Sequence, residues 1–272
     1  MAFDLGRVEK DIRKLRRFLK HAPKHTPPKK VHSLRTAIRR FEAAMQALAL
    51  DSNANERRLL RKLAKLRKRA GKVRDLDVLT GYVADLHVSG EEKCRGQLLK
   101  YLGAKHADRS GQLHSFAVEH GESVRRRLKR TAMQLAASSG DVTASHIAPG
   151  ATMLSELRLE RQLTQPIRLT KSNLHPYRLQ VKELLYMLQM ETEPADRELV
   201  EILGEVKDSI GEWHDWLQLQ TIAGERLAHG SKCKLLPLLE KTTDEKLKHA
   251  LTVANAGRKH MQRSSAGMNR QA

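Results

Sequence analysis

Apolar residues recur at three- and four-residue spacing along nearly the whole chain, and the alternation expected of strands is scarce. In the N-terminal half the pattern predicts helices over 4–21, 31–49, 55–70, 91–107 and 110–137. Gly71 predicts a break or kink, with a further helix through about residue 87. In the C-terminal half helices are expected over 151–164, 172–191, 195–209, 212–229 and 235–262. The segment APKHTPPKK at 22–30 is a Pro-rich break, and Asp51-Ser52-Asn53 has the chemistry of a helix N-cap. The Ser-, Gly- and Pro-rich stretch SSGDVTASHIAPG at 138–150 is the expected domain boundary. Long amphipathic helices joined by short loops imply antiparallel bundles. The expected fold is therefore all-α, with one bundle over 1–145, a second over 146–263 and a disordered tail at 264–272.

Two of these helices carry the same polar pattern. Residues 31–40 read VHSLRTAIRR and residues 174–182 read LHPYRLQVK. Both contain His-x-x-Arg-x-x-x-(Arg/Lys): His32, Arg35 and Arg39, then His175, Arg178 and Lys182. At about 100° per residue, each trio shares a helical stripe roughly 60° wide. Val31, Leu34, Ala37, Ile38, Phe41 and Met45 supply the apolar side of the first helix. Leu174, Val181, Leu184, Leu185 and Leu188 do so in the second. Each copy is followed by a second shared element. Gly71-Lys72-Val73-Arg74-Asp75 begins 39 residues after His32, and Gly211-Glu212-Trp213-His214-Asp215 begins 36 residues after His175. Two ordered motifs repeated in this way point to a duplicated domain and two pseudo-symmetric four-helix bundles. Like charges four residues apart repel on an isolated helix, so a repeated basic stripe calls for an anion to neutralise it.

Charge sharpens this reading. Lys plus Arg number 51 against 31 Asp plus Glu, a formal net charge of +20. Residues 1–150 hold 33 basic and 15 acidic residues, and residues 151–272 hold 18 and 16, so the halves carry +18 and +2. Such an excess implies a polyanionic partner: nucleic acid, an anionic membrane or an inorganic polymer. Aromatic residues make up 4%, which disfavours single-strand binding by base stacking. No apolar run reaches the roughly 18 residues of a membrane span, and the N-terminal MAFDLGRVEKDIRKL lacks a signal-peptide core. The expectation is a soluble cytoplasmic protein with no membrane partner.

Further candidates surround the two stripes. Arg13, Arg17 and Lys20 share a face of the first helix, and Arg61, Lys65, Lys68 and Lys72 one of the third, with Arg40 and Arg69 flanking. Each can be a ligand contact or a solvated surface charge. Arg74, Lys207 and His214 are added as candidate phosphate contacts, with Asp75 and Asp215 expected near helix starts, stabilising free N–H groups and holding their basic neighbours. Arg125, Arg126, Arg127, Lys129 and Arg130 encircle their helix, as expected of a solvated helix end. Trp213 and Trp216 are expected in the core, and Tyr186 between helices with its hydroxyl at the basic surface.

Catalytic signatures are missing. No Glu-x-x-His pair supports a di-iron bundle, and no Gly-x-x-x-x-Gly-Lys-(Ser/Thr) loop is present. Asp75-x-Asp77 lacks a third magnesium ligand. Cys94 and Cys233 look too few and too isolated for a disulfide framework or a zinc site. The expectation is no enzyme activity, no cofactor and no metal.

The ordered set VHSLRTAIRR, GKVRDLDVL, LHPYRLQVKELLY and GEWHDWLQL resembles the CHAD family, the conserved-histidine α-helical domain, over about residues 4–262. The resemblance implies two four-helix bundles, a basic central groove and binding of inorganic polyphosphate without a reaction, with polyphosphate granules as an expected setting. Some relatives are fused to triphosphate-tunnel metalloenzyme domains, and no such domain is expected in this chain. The chain departs from the family pattern at Leu179, Glu183, Leu185 and Glu42, where further basic residues are common. Two other readings stand beside polyphosphate binding: a nonspecific nucleic-acid-binding protein, and a polyphosphate-processing enzyme using His32 or His175 as acid or base.

Overall fold

The computed structural model describes residues 4–48, 50–51, 53–139, 158–159, 161–165, 168–189, 197–227 and 233–268. Among them the regular structure is helical throughout, as the hydrophobic spacing predicts. Seven long helices follow in order: α1 (Leu5–His21), α2 (Pro28–Ala47), α3 (Ala54–Asp85), α4 (Glu92–Ser139), α5 (Leu174–Leu188), α6 (Arg197–Arg226) and α7 (Leu235–Met268). Residues 158–159 and 161–164 are also helical.

Three expected breaks are absent. α3 runs through Gly71, α4 through 108–109 and α6 through 210–211 without interruption. A lone glycine costs a helix about 1 kcal/mol relative to alanine, which packing on a long apolar face readily outweighs. α7 continues to Met268, through the first residues of the expected tail, and residues 269–272 lie outside the described residues. The expected boundary at 138–150 lies outside the described residues apart from Ser138 and Ser139, which belong to α4.

The chain forms two compact units, and these do not follow a division at residue 145. One comprises Met1–Asp77, Ala104–Ser155 and Tyr186–Glu193; the other comprises Val78–Gly103, Glu156–Leu185 and Pro194–Ala272. The reason is helix length. At 32 and 48 residues α3 and α4 extend about 48 and 72 Å, so each carries residues of both units.

In the first unit the core is built from α1 to α4. Val8, Ile12, Leu15 and Leu19 meet Val31, Ile38, Phe41 and Met45, then Leu59, Leu63 and Leu66, and Leu113, Phe116 and Leu128. α1 is well terminated. The Asp4 carboxylate accepts the Arg7 amide at 3.0 Å, a normal N-cap bond. At the other end Ala22 takes a left-handed conformation, φ 31°, and its carbonyl accepts Nδ1–H of His114 at 2.7 Å. α2 begins with Pro28, whose missing N–H is no loss in a first helical turn.

In the second unit α6 and α7 pack along each other. Gly257 lets them approach: a Cβ there would lie 2.7 Å from Val206 Cγ2 and 3.1 Å from Ile202 Cγ2. Tyr82 stacks on Trp216 with centroids 4.6 Å apart and planes 7° from parallel. Both tryptophans are core residues, as expected from sequence. Gly257→Val is expected to destabilise the protein by about 1–3 kcal/mol through overpacking. Urea denaturation measures it, and an unchanged midpoint would mean that the helices do not meet closely at Gly257.

Candidate anion-binding sites

In the first unit the α2 stripe faces α3. Arg35 projects from α2 over Gly71, where a Cβ would sit 3.8 Å from its Cζ. Its Nη1 donates to the Gly71 carbonyl at 3.4 Å and to Asp75 Oδ1 at 3.2 Å. The first shared motif thus supplies a guanidinium and the second supplies its seat. Asp75 lies inside a continuous α3, so it holds Arg35 rather than capping a helix start. Asp77 points elsewhere, to His106 Nε2 at 3.0 Å, as expected for positions about 200° apart on a helix. The two aspartates therefore do not form a magnesium pair.

One turn along α2, Arg39 is half-buried with its guanidinium 5.8 Å from the centre of the Tyr186 ring. The ring face, rather than the hydroxyl, is what Tyr186 offers this cation. Burial lowers the Arg39 pKa, and the charges of Arg67 and Arg35 lower it further, against opposing effects of Tyr186 and Glu42. Arg67 pairs with Glu42 at 2.9 Å. Burial raises the Glu42 pKa, and Arg67 and Arg39 counter that rise. Arg35, Arg39 and Arg67 thus form a cluster of three guanidiniums compensated by Asp75 and Glu42, and Arg39 has no ion pair among the described residues. Arg67 is a member that stripe analysis passed over. It lies between the singled-out Lys65 and Arg69 on a strongly basic helix, so only the fold separates it from its neighbours.

The remaining candidates of this unit divide. His32 is exposed on α2, Arg13, Arg17 and Lys20 on α1, and Lys65 and Lys72 on α3. Arg74 is half-buried and within electrostatic reach of Asp77. Arg40 is half-buried toward α1, where it offsets the burial that raises the Asp11 pKa. Arg69 lies over the Phe116 ring at 4.3 Å and donates to the Lys65 carbonyl at 3.3 Å. The basic run at 125–130 is not a helix end, because α4 continues to Ser139, and Arg127 reaches Asn55 Oδ1 at 3.1 Å.

The second unit builds a related site between α5 and α6. Arg178 Nε donates to the Lys207 carbonyl at 3.0 Å, one turn before Gly211. The guanidinium lies against Gly211, where a Cβ would stand 2.9 Å from Cζ and closer still to Nη2. His175 and His214 meet with ring centroids 4.9 Å apart and planes tilted by 32°. Nδ1 of His175 is buried without a hydrogen-bond partner among the described residues. Burial lowers the His175 pKa, and His214, Arg178 and Lys182 lower it further. Lys182 itself is only 9% exposed, so this stripe turns further inward than its charge pattern suggests. Lys207 is half-buried and pairs with Asp208 at 3.1 Å, while His214 lies 3.8 Å from Asp215. Like Asp75, Asp215 sits mid-helix.

These two units define an all-helical protein in which each histidine-bearing helix sets an arginine against a glycine of the next motif. The chain matches the CHAD domain over residues 8–223. It belongs to the CHAD domain family. Among solved structures it is similar to the CHAD domain from the plant Ricinus communis, with a TM-score of 0.67 and 16% sequence identity, over 92% of this chain and 88% of that one. No curated protein matches the chain. No helix of the described residues is long and apolar enough to cross a membrane.

The two glycines make different demands. Gly71→Ala adds only an ordinary contact with Arg35 and is expected to stabilise α3 by up to about 1 kcal/mol. Gly211→Ala gains the same helix propensity but must push Arg178 away and break its bond to Lys207, at a cost of about 0.5–1.5 kcal/mol. Paired denaturation curves test this, and equal shifts for the two variants would contradict the difference in seating.

Proposed function

We propose that this protein binds inorganic polyphosphate without transforming it, using the α2–α3 and α5–α6 basic sites. The observation that carries this reading is the Arg35, Arg39 and Arg67 cluster, three guanidiniums held half-buried with too few carboxylates to balance them. The neighbouring charges of Arg67 and Arg35 help to lower the Arg39 pKa, and an anion that reaches several of these cations at once relieves that repulsion. A phosphate polymer does this: each unit presents non-bridging oxygens that a planar guanidinium engages as a fork. The backbone bonds to Gly71 and Lys207 orient two of these forks before ligand arrives. Trp213 and Trp216 are buried, which leaves them unsuited to stacking on bases. Polyphosphate granules are a natural site of action for such a protein.

Competition between polyphosphate and duplex DNA at near-physiological salt tests the reading, together with chain-length analysis of polyphosphate after incubation with magnesium. Preferential polyphosphate binding with unchanged chain length is expected. Tighter DNA binding, or shortening of the polymer, would replace it with a nucleic-acid or enzymatic function. Log K should fall steeply with log salt, and the slope should become shallower by about one unit per contact removed.

The two sites should contribute unequally. Arg35→Ala with Arg39→Ala is expected to weaken binding at least about tenfold, since charge-assisted contacts are each worth about 1.5–3 kcal/mol. Arg178→Ala with Lys182→Ala should cost less, because Lys182 is buried and Glu183 is exposed on the same helix. Calorimetry at one salt concentration compares the pairs, and equal losses would remove the asymmetry.

His175 sets a pH dependence. In the free protein its pKa lies below the ordinary value. A bound phosphate would favour the protonated ring and raise that pKa. Affinity should therefore be level above the pKa of the complex, rise as pH falls between the two values, and level off again below the free-protein value. The window closes below the usual histidine value of about 6.5, because the free-protein pKa lies under it. Titration of wild type against His175→Gln between about pH 5 and 8 checks it. Unchanged pH dependence in the variant would make His175 a packing residue.

A further inference from the structure

Away from the basic sites, the fold joins three groups that are distant in sequence. Cys94 lies in the first turn of α4, Glu91 immediately precedes that helix, and Cys233 lies two residues before α7. The cysteines look isolated in sequence, with 138 residues between them, but α4 and the start of α7 bring them into one cluster. The two sulfurs and a Glu91 carboxylate oxygen all lie within 4.8 Å of one another, and all three residues are buried. Cys233 Sγ is 3.4 Å from Glu91 Oε2, and Glu91 Oε1 accepts the Lys234 amide at 3.0 Å.

We propose that Cys94, Cys233 and Glu91 bind one thiophilic divalent cation, zinc by the character of the donors. Two sulfurs and one carboxylate suit zinc, whereas magnesium and calcium take oxygen donors. The spacing also fits. A tetrahedral zinc with Zn–S of about 2.3 Å and Zn–O of about 2.0 Å has S···O edges of about 3.5 Å, against the 3.4 Å observed. The Lys234 amide fixes one carboxylate oxygen and leaves the other turned to the sulfurs, the kind of outer support that orients ligating groups. Glu91 also lines a cleft with His87, Ser89, Arg95 and Leu235, and a water from that cleft would be the fourth ligand. The ion would tie the start of α4 to the start of α7. Its role is structural and independent of polyphosphate binding.

The full chain, purified and reduced, is titrated with Co(II) and then Zn(II). One equivalent should bind, with a thiolate-to-cobalt charge-transfer band that zinc abolishes. Zinc should also protect both cysteines from alkylation. Cys94→Ser and Cys233→Ser should each remove most of the band, and Glu91→Gln should weaken zinc binding about tenfold or more while keeping the band. Far-UV circular dichroism identifies any variant that fails to fold, and the wild-type cobalt and alkylation readouts do not depend on the variants. Absence of the band in the reduced, folded protein overturns the proposal, whether or not the buried thiols react with the alkylating agent. So does a Cys94–Cys233 disulfide that forms in air and, once reduced, yields thiols that take up no cobalt.

Discussion

Much of the candidate chemistry in this protein depends on how an arginine side chain is held against the backbone of a neighbouring helix. A free arginine on a helix surface samples many rotamers, and ordering it for a ligand costs conformational entropy. Arg35 and Arg178 meet part of that cost within the folded protein, through the carbonyls of Gly71 and Lys207. For Arg178, glycine is the residue that permits it. A side chain at Gly211 would occupy the space the guanidinium fills, while the helix continues past it unbroken. The glycine is thus a steric allowance made to another residue rather than a helix breaker.

The same economy of space appears in the core. Gly257 admits Val206 and Ile202 between α6 and α7, and Trp216 lies flat on Tyr82. Electrostatic groups are embedded in this packing rather than placed on top of it. Arg69 is fixed over Phe116 and Arg39 faces Tyr186, so ring faces serve as cation partners where carboxylates are scarce. Positive charge accumulates because few acidic side chains come near it.

Helical class, the outer ends of most of the long helices and the repeated motifs could be read from the chain because each is a local pattern. His-x-x-Arg-x-x-x-(Arg/Lys) marks a face by angle alone. What the two motifs do for each other could not be read that way. The pairing of Arg35 with Gly71 and Asp75 spans up to 40 residues and exists only once α2 and α3 pack. A glycine in a helix looks like a break until its neighbour is known. The inward turn of Lys182 was equally hidden, since a charge pattern gives an angle and not a depth. Arg67 was masked by the basic residues around it, and Cys94 and Cys233 by the chain between them. The halves suggested by composition differ from the compact units because helix length is set by the apolar run, not by domain limits.

That division leaves its mark on synthesis. Leu79, Val83, Leu98 and Leu102 belong to the second unit but leave the ribosome long before most of it. Tyr82 acquires its stacking partner 134 residues later, and Gln97 donates to a carbonyl at Arg226, 129 residues away. Loop-closure entropy must be met before such distant contacts stabilise anything. Tyr82 and Gln97 therefore wait for these partners until α6 is made. The second unit cannot be recovered as a C-terminal fragment, because part of its core is encoded in the other half of the chain.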